Sequence, residues 1–454
     1  MDILKFPSCK LYPNGKFRLP NQIKSELIKA RYLRVVIVAA NDQNYNLWLS
    51  ETTATDSLFN GEAGVGTFQS QKTYGNSKSS PAWQEGYIKY GLTGDKQMAN
   101  GELFGSISAV SGGTWGDGDA GAATTGNEKK TALEDLFIGY RTDQIELSVG
   151  RQQFSIGDGF IINSDALNLG SGLDSIATEI TPNRGGALWF APRKAFANTA
   201  ILRLGNNDGW RSDVYWLQSD NAGQASTEMA GINIENNNQY GVVGLLYNQG
   251  LSVDKKEADF FGYKKRDGQK TMSLRYQGNA GVEQLFLSSE YVKQTQGDNS
   301  KDANAWYAEA GWTFVDTAWS PSVNYRFTRY DEGYDPLFYG FSRGYGTWFQ
   351  GEVAANYGGT SGNGIASDIQ SVSIKASPTE MLSVGAVYFD ISNNKNDTGG
   401  KNDAKELDLW AEWVVNDHLI VSPLVGFYSP KYSNSKQGNT DTNMYSQIIA
   451  IVPF

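Results

Sequence analysis

The chain closes on NMYSQIIAIVPF, Asn443 to Phe454. Met444, Ile448, Ala450, Val452 and Phe454 share one parity in it. Successive side chains of a strand point to opposite faces, so this stretch reads as a strand with one apolar face that ends on an aromatic ring. Such a strand fits two architectures. It can pack on a second sheet in a soluble sandwich, or it can meet lipid in a closed transmembrane barrel. Repetition separates them, because a barrel repeats strands of about ten residues with an apolar outside and a polar lumen.

Composition favours the barrel. The 454 residues are 13% aromatic and include 51 Gly, 24 Tyr and 12 Trp but only 12 Pro. The chain is hydrophilic on average and has no apolar run of about 18 residues, which excludes a helical membrane span. A polar average is what a barrel needs, since lumen-facing residues dilute lipid-facing ones and Tyr and Trp are wanted at both interfaces. A soluble chain of this length would hold about three domains, yet no linker or composition shift follows residue 62.

The net charge of −10 lacks the basic footprint that nucleic-acid binding requires. Cys9 is the single cysteine and can form no internal disulfide. His418, the single histidine, lies in the turn-like VVNDHL with no second His or Cys to complete a zinc site. No Ser-His-Asp arrangement is available, so the chain is expected to be no enzyme and to carry no cofactor or metal. In TWGDGDAG, Asp117 and Asp119 form a D-x-D in a glycine-rich loop without the later Glu of a calcium loop; a polar turn is the simpler reading.

Alternating segments fall at 62–71, 83–92, 101–110, 132–141, 144–152, 197–205, 211–218, 226–234 and 240–248, then at 270–278, 282–292, 304–314, 320–329, 368–376, 381–390, 405–414, 419–428 and 442–454. The count is about 18. The connections alternate. TDQ after Arg141, GNAG after Gln277, ASPTE before Met381 and VNDH before Leu419 are tight turns, whereas 111–131, 153–196, 249–269, 330–367 and 429–441 are long and polar. A barrel with short periplasmic turns and long extracellular loops predicts this alternation. Counting back from Phe454 at the short-turn end, the parity holds when GTWFQGEVAANY is part of a loop rather than a strand.

Faces follow from parity. In ALEDLFIGYR, Leu136, Ile138 and Tyr140 are assigned to lipid and Asp135, Phe137 and Arg141 to the lumen. The same reading places Arg203, Arg275, Arg326 and Lys375 inside, beside Lys89, Glu309, Asp408 and Glu412. Glu134 has lipid-side parity, so its strand must bulge or it must lie near a rim. Trp306, Trp312, Trp413, Tyr276 and Tyr388 point outward as girdle residues. Arginines in a narrow channel concentrate anions and can bind carboxylates bidentately. The alternative is that each is paired with a lumen Asp or Glu and braces the wall.

VGRQQFSIGDGF (Val149–Phe160), YDPLFYGFSRGYGTWFQGEV (Tyr334–Val353), KASPTEMLSVGAVYFD (Lys375–Asp390) and ELDLWAEWVVNDHLIVSPLVG (Glu406–Gly426) resemble the alginate export family of outer-membrane porins. The resemblance covers roughly residues 62 to 454. It implies an all-β, 18-stranded antiparallel barrel in the outer membrane of Gram-negative bacteria, and a basic constriction suited to a polyuronate. Arg151 matches the family's Gly-Arg-Gln motif and is carried over as a pore or constriction residue. Alternation from Ile145, Leu147 and Val149 would aim Arg151 at lipid, so it has to sit past the regular strand, reaching the lumen or the headgroups. The many acidic lumen residues depart from a strongly basic tunnel.

Two long loops are candidates for narrowing the pore: 153–196 with Arg184, Arg193 and Lys194, and Asp335–Tyr357 with Arg343, Gln350 and Glu352 among aromatics. Sugars stack on aromatic faces, so these loops suit a saccharide; they suit a lid packed on itself equally. The expected partners are the lipid bilayer and lipopolysaccharide, a saccharide or anionic solute, and the barrel assembly machinery, since a terminal Phe resembles an outer-membrane assembly signal. Residues 1–61 are expected to lie outside the barrel. Their Lys29, Arg31 and Arg34 followed by VVIVAA (Val35–Ala40) suggest an atypical leader or an aberrant upstream start.

Overall fold

The computed structural model describes residues 58–206, 208–298, 300–340, 343, 351–359, 364–393 and 403–454. Strand β1 (Leu58–Ser70) pairs antiparallel with β18 (Asn443–Pro453), from Glu62 opposite Pro453 to Ser70 opposite Tyr445, and on its other side with β2 (Ala82–Met98). First and last strands thus meet, and the sheet has no edge. The others are β3 (Gly101–Gly116), β4 (Lys129–Arg141), β5 (Ile145–Gln152), β6 (Phe196–Gly205), β7 (Gly209–Gln218), β8 (Glu228–Asn238), β9 (Gly241–Ser252) and β10 (Lys270–Gly278). They are followed by β11 (Leu285–Thr295), β12 (Ala303–Thr313), β13 (Ser322–Tyr330), β14 (Ser367–Thr379), β15 (Leu382–Asn393), β16 (Ala404–Asn416) and β17 (Leu419–Pro430). Each pairs with its sequence neighbours, giving one closed antiparallel sheet of 18 strands. Closure pairs the strands with one another around the ring, the condition for crossing hydrocarbon.

Every expected strand is present, but several boundaries move. β2 runs on to Met98, because backbone pairing continues through Gly94, Asp95 and Lys96 regardless of their side chains, and β3 runs on to Gly116, opposite Trp83. ASPTE is mostly strand, its turn being only 380–381. The barrel begins at Leu58 rather than at residue 62. Gly61 and Phe454 exchange two backbone hydrogen bonds, of 2.8 and 2.9 Å, and the Phe454 ring stacks near Phe59 at 6.2 Å. A Cβ on Gly61 would lie 2.1 Å from that ring. Cys9 and the leader-like segment lie outside the described residues.

The shorter connections meet at one rim and the longer ones at the other, except that β12–β13 (314–321) at the turn rim outruns β11–β12 (296–302) at the loop rim; both barrel ends lie at the turn rim. Residues 351–358 lie in a loop that includes a π-helical turn (Ala354–Gly358), as parity requires; 346–350 are outside the described residues. Along β18, Met444, Ile448, Val452 and Phe454 are exposed while Tyr445, Gln447 and Ile449 are buried. Leu136, Ile138 and Tyr140 are exposed, as are Trp312, Trp413 and Tyr388. Glu134 is buried at a register shift between β3 and β4, so the bulge resolves its parity.

The barrel is not hollow throughout. The β5–β6 loop (153–195) and the β13–β14 loop (331–366) fold inward and touch: Ile162 bridges Phe338, and Gly340 donates to the Gly159 carbonyl at 2.9 Å. Gly159 has φ +81° and an added Cβ would meet the Gly340 oxygen at 2.0 Å, so the crossing needs glycine there. Phe160 packs edge-on to Tyr307 of β12 at 5.1 Å and Phe196 to Phe338 at 4.9 Å, forming an aromatic core inside the barrel.

Candidate functional site in the barrel lumen

Carboxylates on the wall hold the infolded loops by their backbone. Glu85 of β2 accepts from the Trp189 amide at 2.9 Å, Glu134 of β4 from Lys194 and Ala195 at 2.8 and 3.0 Å, and Glu406 of β16 from Val353 and Ala354 at 2.8 and 2.7 Å. Acidic lumen residues are therefore committed to loop placement rather than forming a free negative surface. Asp119 is spent in the same way on its own loop, accepting from the Thr124 and Gly121 amides.

The second node is Asp158. It accepts from Arg343 at 2.8 Å, Gln277 at 2.7 Å and Tyr307 at 3.0 Å, and Arg343 also reaches Glu309 of β12 at 2.8 Å. Burial disfavours the Arg343 charge, but Asp158 and Glu309 outweigh it and hold the guanidinium protonated well above the ordinary range. Nearer the looped rim, Arg266 ties three loops together. It donates to Asp335 at 2.8 and 2.9 Å and to the Gln224 carbonyl at 3.1 Å, below a short helix α1 (Lys255–Phe261).

Of the arginines expected in the lumen, Arg141 pairs with Glu102 at 2.9 Å, Arg203 with Glu146 and Asp213, Arg275 with Glu235 and Asn233, and Arg326 with Glu309 at 3.8 Å. Lys375 faces Glu412 across β15, and among the described residues it makes no ion pair within 4 Å. The bracing role thus holds for all four arginines. Exposure then divides them. Arg275 and Arg326 keep only 7% and 8% of their side chains exposed, against 32% for Arg203. Arg211 joins Arg203 through Asp213, at 3.2 Å, with 34% exposed. Asp213 itself is 2% exposed, so the two guanidinium groups cover their carboxylate.

Three expectations change. Arg151 is not a lumen residue: it lies opposite the exposed Leu136 and pairs with Asp220 of the β7–β8 loop (219–227). It keeps its outward parity because the register shift on its β6 side falls beside it, between Gly150 and Gln152, and leaves Gln152 inside. Arg184 and Arg193 converge on Asp220 as well, rather than on a central constriction. Arg343 is a loop staple, Glu352 is buried beside the Glu406 clamp, and Gln350 lies outside the described residues. Sequence reasoning passed over Arg211, Arg266 and Asp158. Arg211 was within reach, since Arg211, Asp213, Tyr215 and Leu217 alternate inward along GWRSDVYWLQ; the other two are loop residues with no periodicity to read.

No family model and no curated protein matches the chain. Solved structures do. Pseudomonas aeruginosa OccK5 (OpdH) is 10% or less identical, at 9%, with a TM-score of 0.57 over 87% of this chain and 98% of its own. The outer membrane protein opdK from the same organism is 10% identical with a TM-score of 0.57 over the same shares, and Acinetobacter baumannii OccAB4 is 10% identical with 0.55 over 87% and 98%. The 18-stranded barrel implied by the resemblance to the alginate export family is present, but the similar structures belong to the Occ series and not to that family. The chain has the fold of outer-membrane porin barrels.

Proposed function

We propose that the chain is a non-enzymatic outer-membrane channel that passes small polar solutes, preferentially anionic, saccharide-like ones, by diffusion. The observation that carries this reading is the pair Arg203 and Arg211, whose guanidinium groups stay about a third exposed beside Glu146 and a buried Asp213. Exposed guanidinium forks in a low-dielectric channel give a passing carboxylate a bidentate contact even where their charge is balanced. Phe190 of the infolded loop and Tyr87 of β2 lie 5.2 Å apart and half-buried, an aromatic pair on which a sugar ring can stack. Two loops joined inside the lumen favour short solutes over a long polyuronate such as alginate. The ion pairing of Arg141, Arg275 and Arg326 favours a second reading, a general diffusion porin without saccharide specificity. Planar-bilayer reversal potentials in a salt gradient test the proposal: anion selectivity, with block of current by acidic sugars but not neutral ones, is expected, and cation selectivity overturns it.

A further inference from the structure

The barrel wall has a notch. β4 is paired with β3 as far as Lys129, opposite Gly113, but its pairing with β5 stops at Leu136 opposite Arg151. Lys129 to Asp135 therefore have no strand on that side. The β5–β6 loop covers the gap, held by Glu134 on the Lys194 and Ala195 amides and by the Lys130 ammonium on the Asn183 carbonyl at 2.6 Å.

Cations collect there. Arg151 pairs with Asp220, Arg184 bonds the same carboxylate at 3.2 Å and Asp165 at 3.3 Å, and Arg193 lies 3.7 Å from Asp220. Lys130 stands beside them, while Glu134 and Lys194 offset one another. The two oxygens of Asp220 are shared by three guanidinium groups. Arg151 Nη1, Arg184 Nε and Arg193 Nε are buried with no hydrogen-bond partner, a costly state for charged donors. Arg184 is 4% exposed and Asp220 36%, so the opening is on the Asp220 side.

That side faces outward. Arg151 is level with the exposed Leu136, and next to it Asn198 and Gln218 bond each other at 2.8 Å on the outer surface. Above this stretch of β4, Trp115 of β3 is exposed, an aromatic at the looped rim, while Lys130, opposite Gly112, has the inward parity of Val110 and Thr114. Aromatics of this kind mark the membrane interface. The cluster thus sits at the headgroup level of the outer leaflet.

We infer that this notch binds the phosphate monoester of an outer-leaflet glycolipid, with Arg151 and Arg193 as its ligands. A phosphate dianion offers three acceptor oxygens where Asp220 offers two, and guanidinium forks match phosphate bidentately. The inference concerns the wall and is independent of what crosses the lumen. Native mass spectrometry of the whole barrel in detergent, loaded with bis-phosphorylated or dephosphorylated lipid A, tests it. Retention of the phosphorylated form about tenfold above the other is expected, reduced to parity in an Arg151→Gln, Arg193→Gln double variant that still shows heat-modifiable migration. Equal retention of both lipids by the unaltered protein overturns the inference whether or not the variant folds. So does stabilisation of the lipid-free barrel by inorganic phosphate equal to that by the lipid, which would assign the site to a soluble anion.

Discussion

Arg343 of the β13–β14 loop donates to Asp158 of the β5–β6 loop at 2.8 Å, a charged bond that adds to the backbone contacts between the two segments that enter the lumen. Because Arg343 also grips Glu309, the joined loops are fixed to β12. This staple adds to the Glu85, Glu134 and Glu406 clamps from the wall, and the Phe160–Tyr307 packing fills the space behind.

Removing that guanidinium takes the Arg343 cation from the buried Asp158 and leaves Glu309 to Arg326, at 3.8 Å. Breaking a buried pair by deleting one partner costs about 3–5 kcal/mol. Arg343→Ala is therefore expected to lower the unfolding temperature in detergent and to give larger, noisier single-channel currents. Currents indistinguishable from the unaltered protein would show that the loops do not depend on this staple.

Exposure predicts which arginines govern selectivity. Replacing both Arg203 and Arg211 with Gln should shift the reversal potential towards cations, since these groups meet the lumen solution. Arg326→Gln should shift it less and destabilise the barrel more, because Arg326 is buried against Glu309. The reverse ranking in bilayer recordings would refute the assignment.

The seam between β1 and β18 closes around Gly61. With an added Cβ 2.1 Å from the Phe454 ring, Gly61→Leu should slow assembly and reduce the heat-modifiable folded band on gels. Phe454→Ala in the same chain should restore part of that band by clearing the ring, provided the strand pairs without it.

At the looped rim, burial opposes ionisation of Glu128, but hydrogen bonds from Thr114, the Thr125 amide and Ser171 prevail and bring its pKa down to about 2, from an ordinary 4.5. A depressed carboxylate contributes stability that is complete above the ordinary pKa and disappears as pH falls through the folded one. Protection of residues 117–128 from protease should therefore hold down to about pH 4.5 and decline towards pH 2. Glu128→Gln should be less protected at neutral pH and nearly flat across that window. An identical pH profile in both would remove Glu128 as the cause.

Much of the barrel is legible from residues because lipid imposes a period of two on every strand. Met444, Ile448 and Val452, or Leu136 and Ile138, announce their face by parity alone. The lumen is less legible. Parity placed Arg203, Arg275 and Arg326 inside correctly, yet it could not say that Glu146, Glu235 and Glu309 would meet them from neighbouring strands. Those pairs depend on register, which alternation fixes only to within two residues. Arg151 shows the limit most sharply: its motif suggested a pore residue, while its parity pointed outward, where it pairs with Asp220.

What the sequence determined by itself is the wall: the strands, the rim on which each connection lies, and the side from which each strand residue looks. These are consequences of a repeating apolar solvent acting on a repeating backbone, so local pattern carries them. Only the tertiary structure decided what the wall encloses. Asp158 meets Arg343 across 185 residues, and Glu406 meets the Val353 amide across 53, through aperiodic loops in which no residue predicts its partner.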